Sequence, residues 1–510
     1  MLLGLTAWLS VFACVEAPPL APEVPSYQPH EDTGSIQPPA PPNILLIYTD
    51  QHRADTIAAA GHPVAITPAL DSLASQGVLF NRMYTNGPVC RPARAAMMTG
   101  LYPHQAGVTT NVEEIDPRGI SHVRRIRDEA GYHTALVGKA HLYSGHTQHA
   151  DTFKPRLESM GFEDSFEQVG PTEQTWRPTA YSDYLESTTP PGEESKWDRL
   201  SDYTEAYDFS FPGHDAPPWN IPTEDHADVY AGRIAAEWLR NRDPSRPFYL
   251  QLNFPGPHHP FSATQEYRDL YDPTDPDFPV PVLMQPDGPV APLIETLLHI
   301  KGEDWDASDA RQLAADYLAG VTLIDDAIGG VLDTLQETGE LDNTWIVYSS
   351  DHGELLGDHN LTGKIAFYEG SWRVPLIIRP PQGLEPWQSE ALVDTVDMTA
   401  SLLEMAGLNP EPLAAGTSLV QKVYAGPDAL DANDHRRFIF GANMGNFAVR
   451  TEQWKLTYDD TLNVPRAVEL YDMENDPFEV TNQVNEPAYA DKVAELTELL
   501  EATLNNSPVP

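Results

Sequence analysis

The residues with chemistry to offer stand at the ends of apolar runs. Asp50 and Gln51 close NILLIYTDQ, Lys139 and His141 close YHTALVGKAH, His258 follows FYLQLNF in PGPHHP, and Asp351 and His352 close TWIVYSSDH. A fifth stretch, GPVCRPARAAMMTG at 87–100, carries Cys90 and Arg94. Two carboxylates, an amide and an imidazole offer oxygen and nitrogen ligands from two strand ends. Arg94 and Lys139 offer fixed positive charge. Displacement at a charged centre needs such a set: a nucleophile, cations to hold anionic oxygens, and an acid for the leaving atom. Cys90 is one of only two cysteines, the other being Cys14. A lone cysteine is either a small buried hydrophobe or a reactive group, and both readings stand at this point.

The elements that must position these groups follow from the pattern. NILLIYTD, GVLFNRMYT, YHTALVGK, FYLQLNF, TWIVYSSD and VPLIIR read as buried strands. Between them lie helical segments at about 68–76, 121–131, 225–241 and 308–337, and VDMTASLLEMAG follows the last strand. Strands alternating with helices over nearly 400 residues predict a mostly parallel α/β sheet with helices on both faces. Ligand sites in such sheets sit at the C-terminal strand ends, where the polar clusters collect. Cys90 precedes an Ala- and Met-rich helix, so it falls at a helix N-terminus that favours anions. The region 145–225, rich in Pro, Ser, Thr and acids, reads as a long insertion. Its Trp176, Tyr181, Tyr184, Trp197 and Tyr203 either stack on a ligand or anchor the insertion to the body. After about residue 425, RFIFGA, FAVRTEQWKLTYD and AVELYDM are strands without intervening helices, and 487–505 is a helix. That is a small α+β subdomain, an antiparallel sheet with one covering helix.

The balance of 31 Lys+Arg against 76 Asp+Glu gives a net charge of −45 over 510 residues. Such a surface repels nucleic acid, which excludes it as a partner. Residues 1–14 read as a signal peptide, and VFAC either places Cys14 at a lipoprotein-type cleavage box for a lipid anchor or precedes simple cleavage near Ala13 or Ala17 that releases a soluble protein. Residues 15–42 are a Pro-rich linker, followed by a catalytic domain at 43–425 and the subdomain at 426–510. The protein is expected to be exported, to the periplasm or the cell surface. With Cys14 removed or lipidated, Cys90 has no partner, and the domain relies on core burial rather than disulfides.

The C-x-P-x-R run at 90–94 with AAMMTG resembles the signature of the formylglycine-dependent sulfatases, in the alkaline-phosphatase-like superfamily. GLYPHQAGV, GYHTALVGKAHL, DDAIGGVL, SSDHGELLGDH and LYDMENDPFEVTN are similar to further blocks of that family, in its order, across about 43–500. The resemblance implies that Cys90 is oxidised by a maturation enzyme to formylglycine, whose hydrate attacks a sulfate ester. It implies that Asp50, Gln51, Asp351, His352 and residue 90 hold one divalent metal. The mostly oxygen set suits Ca²⁺, with Mn²⁺ or Zn²⁺ as alternatives. It further implies that Arg94 and Lys139 hold the formylglycine and that Asp351 takes the proton of the attacking hydroxyl. His141 then expels sulfate, while His258 and Lys364 grip the sulfate and protonate the leaving oxygen. His104, His359 and Arg373 lie in the same blocks and either touch substrate or only support the residues that do. Arg91 departs from the family, which has a small residue there, and its side chain is expected to point to solvent.

The implied substrate is a sulfated small molecule or glycan, with carbohydrate sulfate first and aryl or choline sulfate after it. Two other readings compete. A phosphonate monoesterase or phosphodiesterase of the same superfamily shares C-x-P-x-R and the metal pattern, but tends to carry uncharged hydroxyl residues where Lys139 and His141 stand. A surface lipoprotein that binds sulfated glycans without cleaving them is the other.

Overall fold

The computed structural model describes residues 41–144, 148–205, 217–284, 286, 306–410, 415–429, 431–460 and 466–505. The leader, Cys14 and nearly all of the Pro-rich linker lie outside them. Residues 41–510 form one compact unit.

Among the described residues fifteen strands run in chain order as β1 (Asn43–Asp50), β2 (Val78–Phe80), β3 (Met83–Tyr84), β4 (His133–Lys139), β5 (Asp164–Gln168), β6 (Phe248–Pro257), β7 (Thr344–Ser350), β8 (Arg373–Val374), β9 (Leu376–Arg379), β10 (Trp387–Ser389), β11 (Val393–Asp394), β12 (Phe438–Asn443), β13 (Asn446–Thr451), β14 (Trp454–Asp459) and β15 (Arg466–Asp472). Eight form the main sheet in the order β10-β2-β9-β7-β1-β6-β4-β5. All its pairings are parallel except those of β9, which runs against both β2 and β7. The expected mostly parallel α/β sheet is therefore present, with one reversed strand. β1 sits between β6 and β7, and every one of its residues is buried. That explains the unbroken apolar run: a strand covered on both faces has no solvent side to make polar.

Helices cover both faces. Cys90–Thr99, His122–Ala130 and Thr395–Met405 pack with one apolar cluster; Ala227–Asn241 and the 31-residue Ala307–Glu337 pack with another on the opposite side. The three- and four-residue steps of Tyr317, Val321, Ile324, Ile328, Val331 and Leu335 put them on the buried stripe of that long helix. β12 to β15 make an antiparallel sheet in sequence order, and Ala490–Leu504 lies against it, as the loss of intervening helices after residue 425 predicts.

Three segments differ from expectation. GVLFNRMYT is not one strand: β2 joins the main sheet, and a turn at Asn81 and Arg82 sends β3 to pair with β8 and β11. VPLIIR divides likewise into β8 and β9. The region 145–225 is not wholly an insertion, because β5 extends the main sheet parallel to β4. Its sequence, DSFEQ, is polar because it forms the sheet edge, with three of its five residues partly or fully exposed. Within that region Tyr181 is buried in an aromatic cluster with Leu185, Leu200, Trp219 and Tyr230, with Tyr184 and Trp197 packed against it. These rings anchor the segment to the body. Trp176 alone among them is half exposed, at 49%; the Tyr203 side chain lies outside the described residues.

Candidate active site

The C-terminal ends of β1 and β7 lie side by side, and this pairing brings together groups some 300 positions apart. Gln51 N donates to Asp351 Oδ1 at 3.0 Å across 300 residues of sequence. His352 N donates to the same oxygen at 2.9 Å. Gln51 adopts φ 76°, a left-handed turn that a non-glycine residue holds only under local constraint. Its carbonyl is tied down by the Tyr317 hydroxyl at 2.8 Å.

Cys90 begins its helix, 2% exposed, and Sγ lies 3.2 Å from His352 Nε2 and 3.8 Å from Asp50 Oδ1. Asp50, Cys90, Asp351 and His352 place one ligand atom each within 4.8 Å of one another, all buried. That is the spacing of donors around a single ion. His352 Nδ1 lies 3.0 Å from Gly353 O, so its Nδ1–H belongs there and Nε2 is the nitrogen turned to the cluster. The donor set, carboxylate oxygens with one imidazole and the Gln51 amide oxygen beside them, fits a divalent cation.

Cations ring the cluster. Arg94, 1% exposed, donates from Nε to Asp351 Oδ2 at 2.8 Å and from Nη2 to Asp50 Oδ2 at 3.2 Å. Its Nη1 donates to Lys139 O at 2.7 Å, which ties the helix to the end of β4. Lys139 Nζ donates to Asp50 Oδ2. Gly138 precedes it because no side chain fits: a Cβ there would sit 1.8 Å from Asn253 O, and φ is 95°. Lys364 Nζ lies 3.2 Å from Cys90 Sγ and 2.8 Å from Gln51 Oε1.

These neighbours decide the protonation states. Burial pushes the Asp50 carboxyl up, but the neighbouring cations, Lys139 first and then Lys364 and Arg94, outweigh it and hold it well below the usual range. Burial and Asp50 push the Cys90 thiol up; Lys364, Lys139 and His352 overcome both and leave it lowered. Burial depresses Lys139, yet Asp50 raises it above an ordinary lysine. Burial also depresses His352, and Asp351 more than restores it. His141 falls well below an ordinary histidine through burial, then through Lys139, Arg91 and Arg94. His258 falls likewise through burial, Lys364 and His259.

The site therefore has a floor and a rim. Asp50, Gln51, Cys90, Arg94, Lys139, Asp351 and His352 are buried, whereas His141, His258 and Lys364 are partly exposed. His141 Nδ1 is buried without a hydrogen-bond partner, on a residue with φ 49°. His258 Nδ1 lies 2.7 Å from His259 O, its ring 4.0 Å from that of His259. His259 in turn brings Nδ1 to 3.5 Å from Gln51 Nε2. Every residue singled out for chemistry is thus in or around one cluster.

The supporting residues divide. His104 stacks on Tyr102 and meets Phe440 edge-on. His359 packs on Tyr368, with Nδ1 at 3.1 Å from Met284 O, and Arg373 bonds Asn81 O and pairs with Glu369. None of those contacts involves the cluster. Arg91 corrects the expectation of a solvent-facing side chain: it is 3% exposed. Its guanidinium holds Glu113 O at 2.9 Å, Ser144 Oγ at 3.3 Å and Tyr143 O at 3.3 Å, so it stitches the Cys90 helix to the loop just after His141. Sequence reasoning also passed over Glu354, fully buried beneath Gln51; its place in SSDHGELL, three residues beyond Asp351, was the only signal.

This sheet order, with ligands at two adjacent strand ends, defines the alkaline-phosphatase-like architecture. A phosphonate monoester hydrolase of Agrobacterium radiobacter superposes with a TM-score of 0.72 at 25% identity, covering 91% of this chain and 95% of that one. A structure in complex with its substrate D-glucosamine-2-N,6-O-disulfate superposes with a TM-score of 0.68 at 24% identity, covering 92% and 99%. The chain belongs to the sulfatase family: the Sulfatase model matches residues 42–408, and the N-sulphoglucosamine sulphohydrolase C-terminal model matches 357–506. Among its relatives, the multifunctional alkaline phosphatase superfamily protein PehA of Trinickia caryophylli is 31% identical, over 88% of this chain and 92% of that protein. The choline-sulfatase of Rhizobium meliloti is 30% identical, over 88% and 83%. The chain is accordingly a sulfuric ester hydrolase by family, in a family that depends on a metal.

Proposed function

We propose that the protein hydrolyses a sulfate monoester, carbohydrate sulfate foremost, through a formylglycine made from Cys90 by a maturation enzyme. The observation that carries this reading is the pair Lys139 and His141 at the end of β4: an ammonium bonded to Asp50 and a neutral imidazole at the rim. Asp50, Gln51, Asp351, His352 and residue 90 would hold one divalent cation, Ca²⁺ first and Mn²⁺ or Zn²⁺ after it. When bound, it supplies positive charge that orients the attacking hydroxyl and the sulfate oxygens.

The chain's own residues do the rest. Both lone pairs of Asp351 Oδ1 are taken by the N–H groups of Gln51 and His352, so Oδ2 is the atom that accepts the attacking hydroxyl's proton. Arg94 on that oxygen and Lys139 favour the anionic form of the nucleophile. His258 is neutral in the free site, so the Lys364 ammonium carries the proton for the leaving oxygen while His258 helps to grip the sulfate. His141, neutral and with Nδ1 open, takes the proton of the second hydroxyl; sulfate leaves and the carbonyl is restored.

Phosphonate monoester or phosphodiester hydrolysis is the second reading, favoured by the likeness to the Agrobacterium phosphonate monoester hydrolase. Matured protein should turn over an aryl sulfate faster than a phenyl phosphonate monoester, and Lys139→Ala should abolish the difference. Faster phosphonate hydrolysis, with Lys139→Ala harmless, would reverse the assignment. A screen of sulfated mono- and oligosaccharides names the substrate. A plain thiol in the Cys90 tryptic peptide, after expression beside a competent maturase, would remove the nucleophile and leave the glycan-binding reading.

A further inference from the structure

We infer that Glu354 is a positioning residue that forces the Gln51 amide to present oxygen, not nitrogen, to the metal cluster. The inference rests on the metal site proposed above. Glu354 is fully buried in the turn after His352. Its Oε2 accepts from Gln51 Nε2, and its Oε1 accepts from Leu356 N at 3.1 Å and from Gly363 N. A carboxylate only accepts hydrogen bonds, so it fixes which end of the amide it meets. Gln51 Nε2 must turn down toward Glu354, and Oε1 must turn up, where Lys364 Nζ meets it at 2.8 Å beside Cys90. Through Gly363 N, the same carboxylate also fixes the backbone next to Lys364. One buried acid thus sets a ligand atom and the root of a sulfate-gripping cation together.

The two oxygens of Glu354 do separate work, and that makes the role testable. In Glu354→Gln the remaining oxygen keeps the bonds to Leu356 N and Gly363 N, and an NH₂ replaces Oε2. Two NH₂ groups would then face each other, so the Gln51 amide must turn over and aim its NH₂ at the cluster. Titrating Ca²⁺ by calorimetry into the full-length Cys90 protein should show Glu354→Gln binding about 10- to 100-fold more weakly than wild type, as for other groups that orient metal ligands. The swap Gln51→Glu with Glu354→Gln restores a donor facing an acceptor and returns an oxygen to the cluster, so most of the affinity should come back. Because a carboxylate at position 51 draws Ca²⁺ by charge alone, the rescue counts only where the swap binds more tightly than Gln51→Glu by itself, which a role limited to the loop would not give.

Wild-type affinity in Glu354→Gln overturns the inference, as does a swap no tighter than either single variant. If Glu354→Gln alone does not fold, the swap is compared with Gln51→Glu, in which two carboxylates face each other. The swap must then bind Ca²⁺ more tightly, and equal affinity overturns the inference. A wild-type protein that binds no Ca²⁺, Mn²⁺ or Zn²⁺ would instead sink the metal reading itself.

Discussion

Two arginine–aspartate clusters among the described residues, one around Arg94 and one around Arg436, are built alike and satisfied differently. Arg94 bridges Asp50 and Asp351, with His352 beside them. Arg436 bridges Asp394 and Asp397, with His435 3.3 Å from Asp397. In the second cluster the valences close on the protein. Asp394 caps the helix Thr395–Met405, accepting from Asp397 N and Asn86 Nδ2, and Asp397 accepts from Thr417 N and from Arg436. Burial pushes the Asp394 carboxyl up to about 7 despite Arg436, whereas Arg436 and His435 overcome burial at Asp397 and hold it low. One of the two carboxyls is thereby pushed toward its neutral form. In the first cluster Asp50 stays ionised, and Cys90 Sγ, His352 Nε2 and Gln51 Oε1 converge with it. Among the described residues, only this cluster gathers ligand atoms within 4.8 Å. Buried charge alone therefore does not mark a site; converging groups with valence to spare do.

The comparison is most exposed to Cys90→Ala. Loss of the nucleophile should lower sulfate-ester turnover about 10⁴- to 10⁶-fold, read by single-turnover assay, while a circular dichroism melt stays near wild type. Next comes a crossed pair. Asp351→Ala should lose Ca²⁺ binding and activity together, whereas Arg436→Met should cost about 3–5 kcal/mol of stability by stranding two buried acids, with kcat unchanged. Equal effects of the two on kcat would erase the distinction between the clusters.

The smallest effect concerns a buried histidine with neutral partners only. His122 meets Met98 O at 3.1 Å and the Tyr249 hydroxyl at 2.8 Å, and burial lowers its pKa to about 4. The unfolded chain binds a proton below about 6.5 that the folded chain refuses until about 4, so His122 erodes stability as pH falls through that window. The stability cost of His122→Gln, measured by urea melts, should therefore shrink by about 2 kcal/mol between pH 8 and pH 5. A cost independent of pH would mean that His122 takes up its proton in the fold as readily as in the unfolded chain.

What could be read from the chain beforehand was whatever one local pattern encodes. NILLIYTD and TWIVYSSD announce doubly covered strands that end in acid, and strand ends located Asp50, Gln51, Lys139, His141, Asp351 and His352, whereas Cys90 and Arg94 came from the C-x-P-x-R run and Lys364 from the resemblance alone. DSFEQ was unreadable because an edge strand needs no apolar run. Glu354 was unreadable because its meaning lies in an amide 303 positions away. Arg91 misled for a related reason: a charged residue in a helix's first turn ordinarily faces water, and only the loop folding over it at Glu113, Tyr143 and Ser144 turns it inward.

The pairing of Gln51 with Asp351 across 300 residues also sets a schedule. During synthesis β1 leaves the ribosome long before β7, so the walls around Cys90 do not yet exist. Over that interval the thiol stands open; once the two strands zip, it is sealed at 2% exposure. The maturation enzyme proposed above would therefore be in a race with folding.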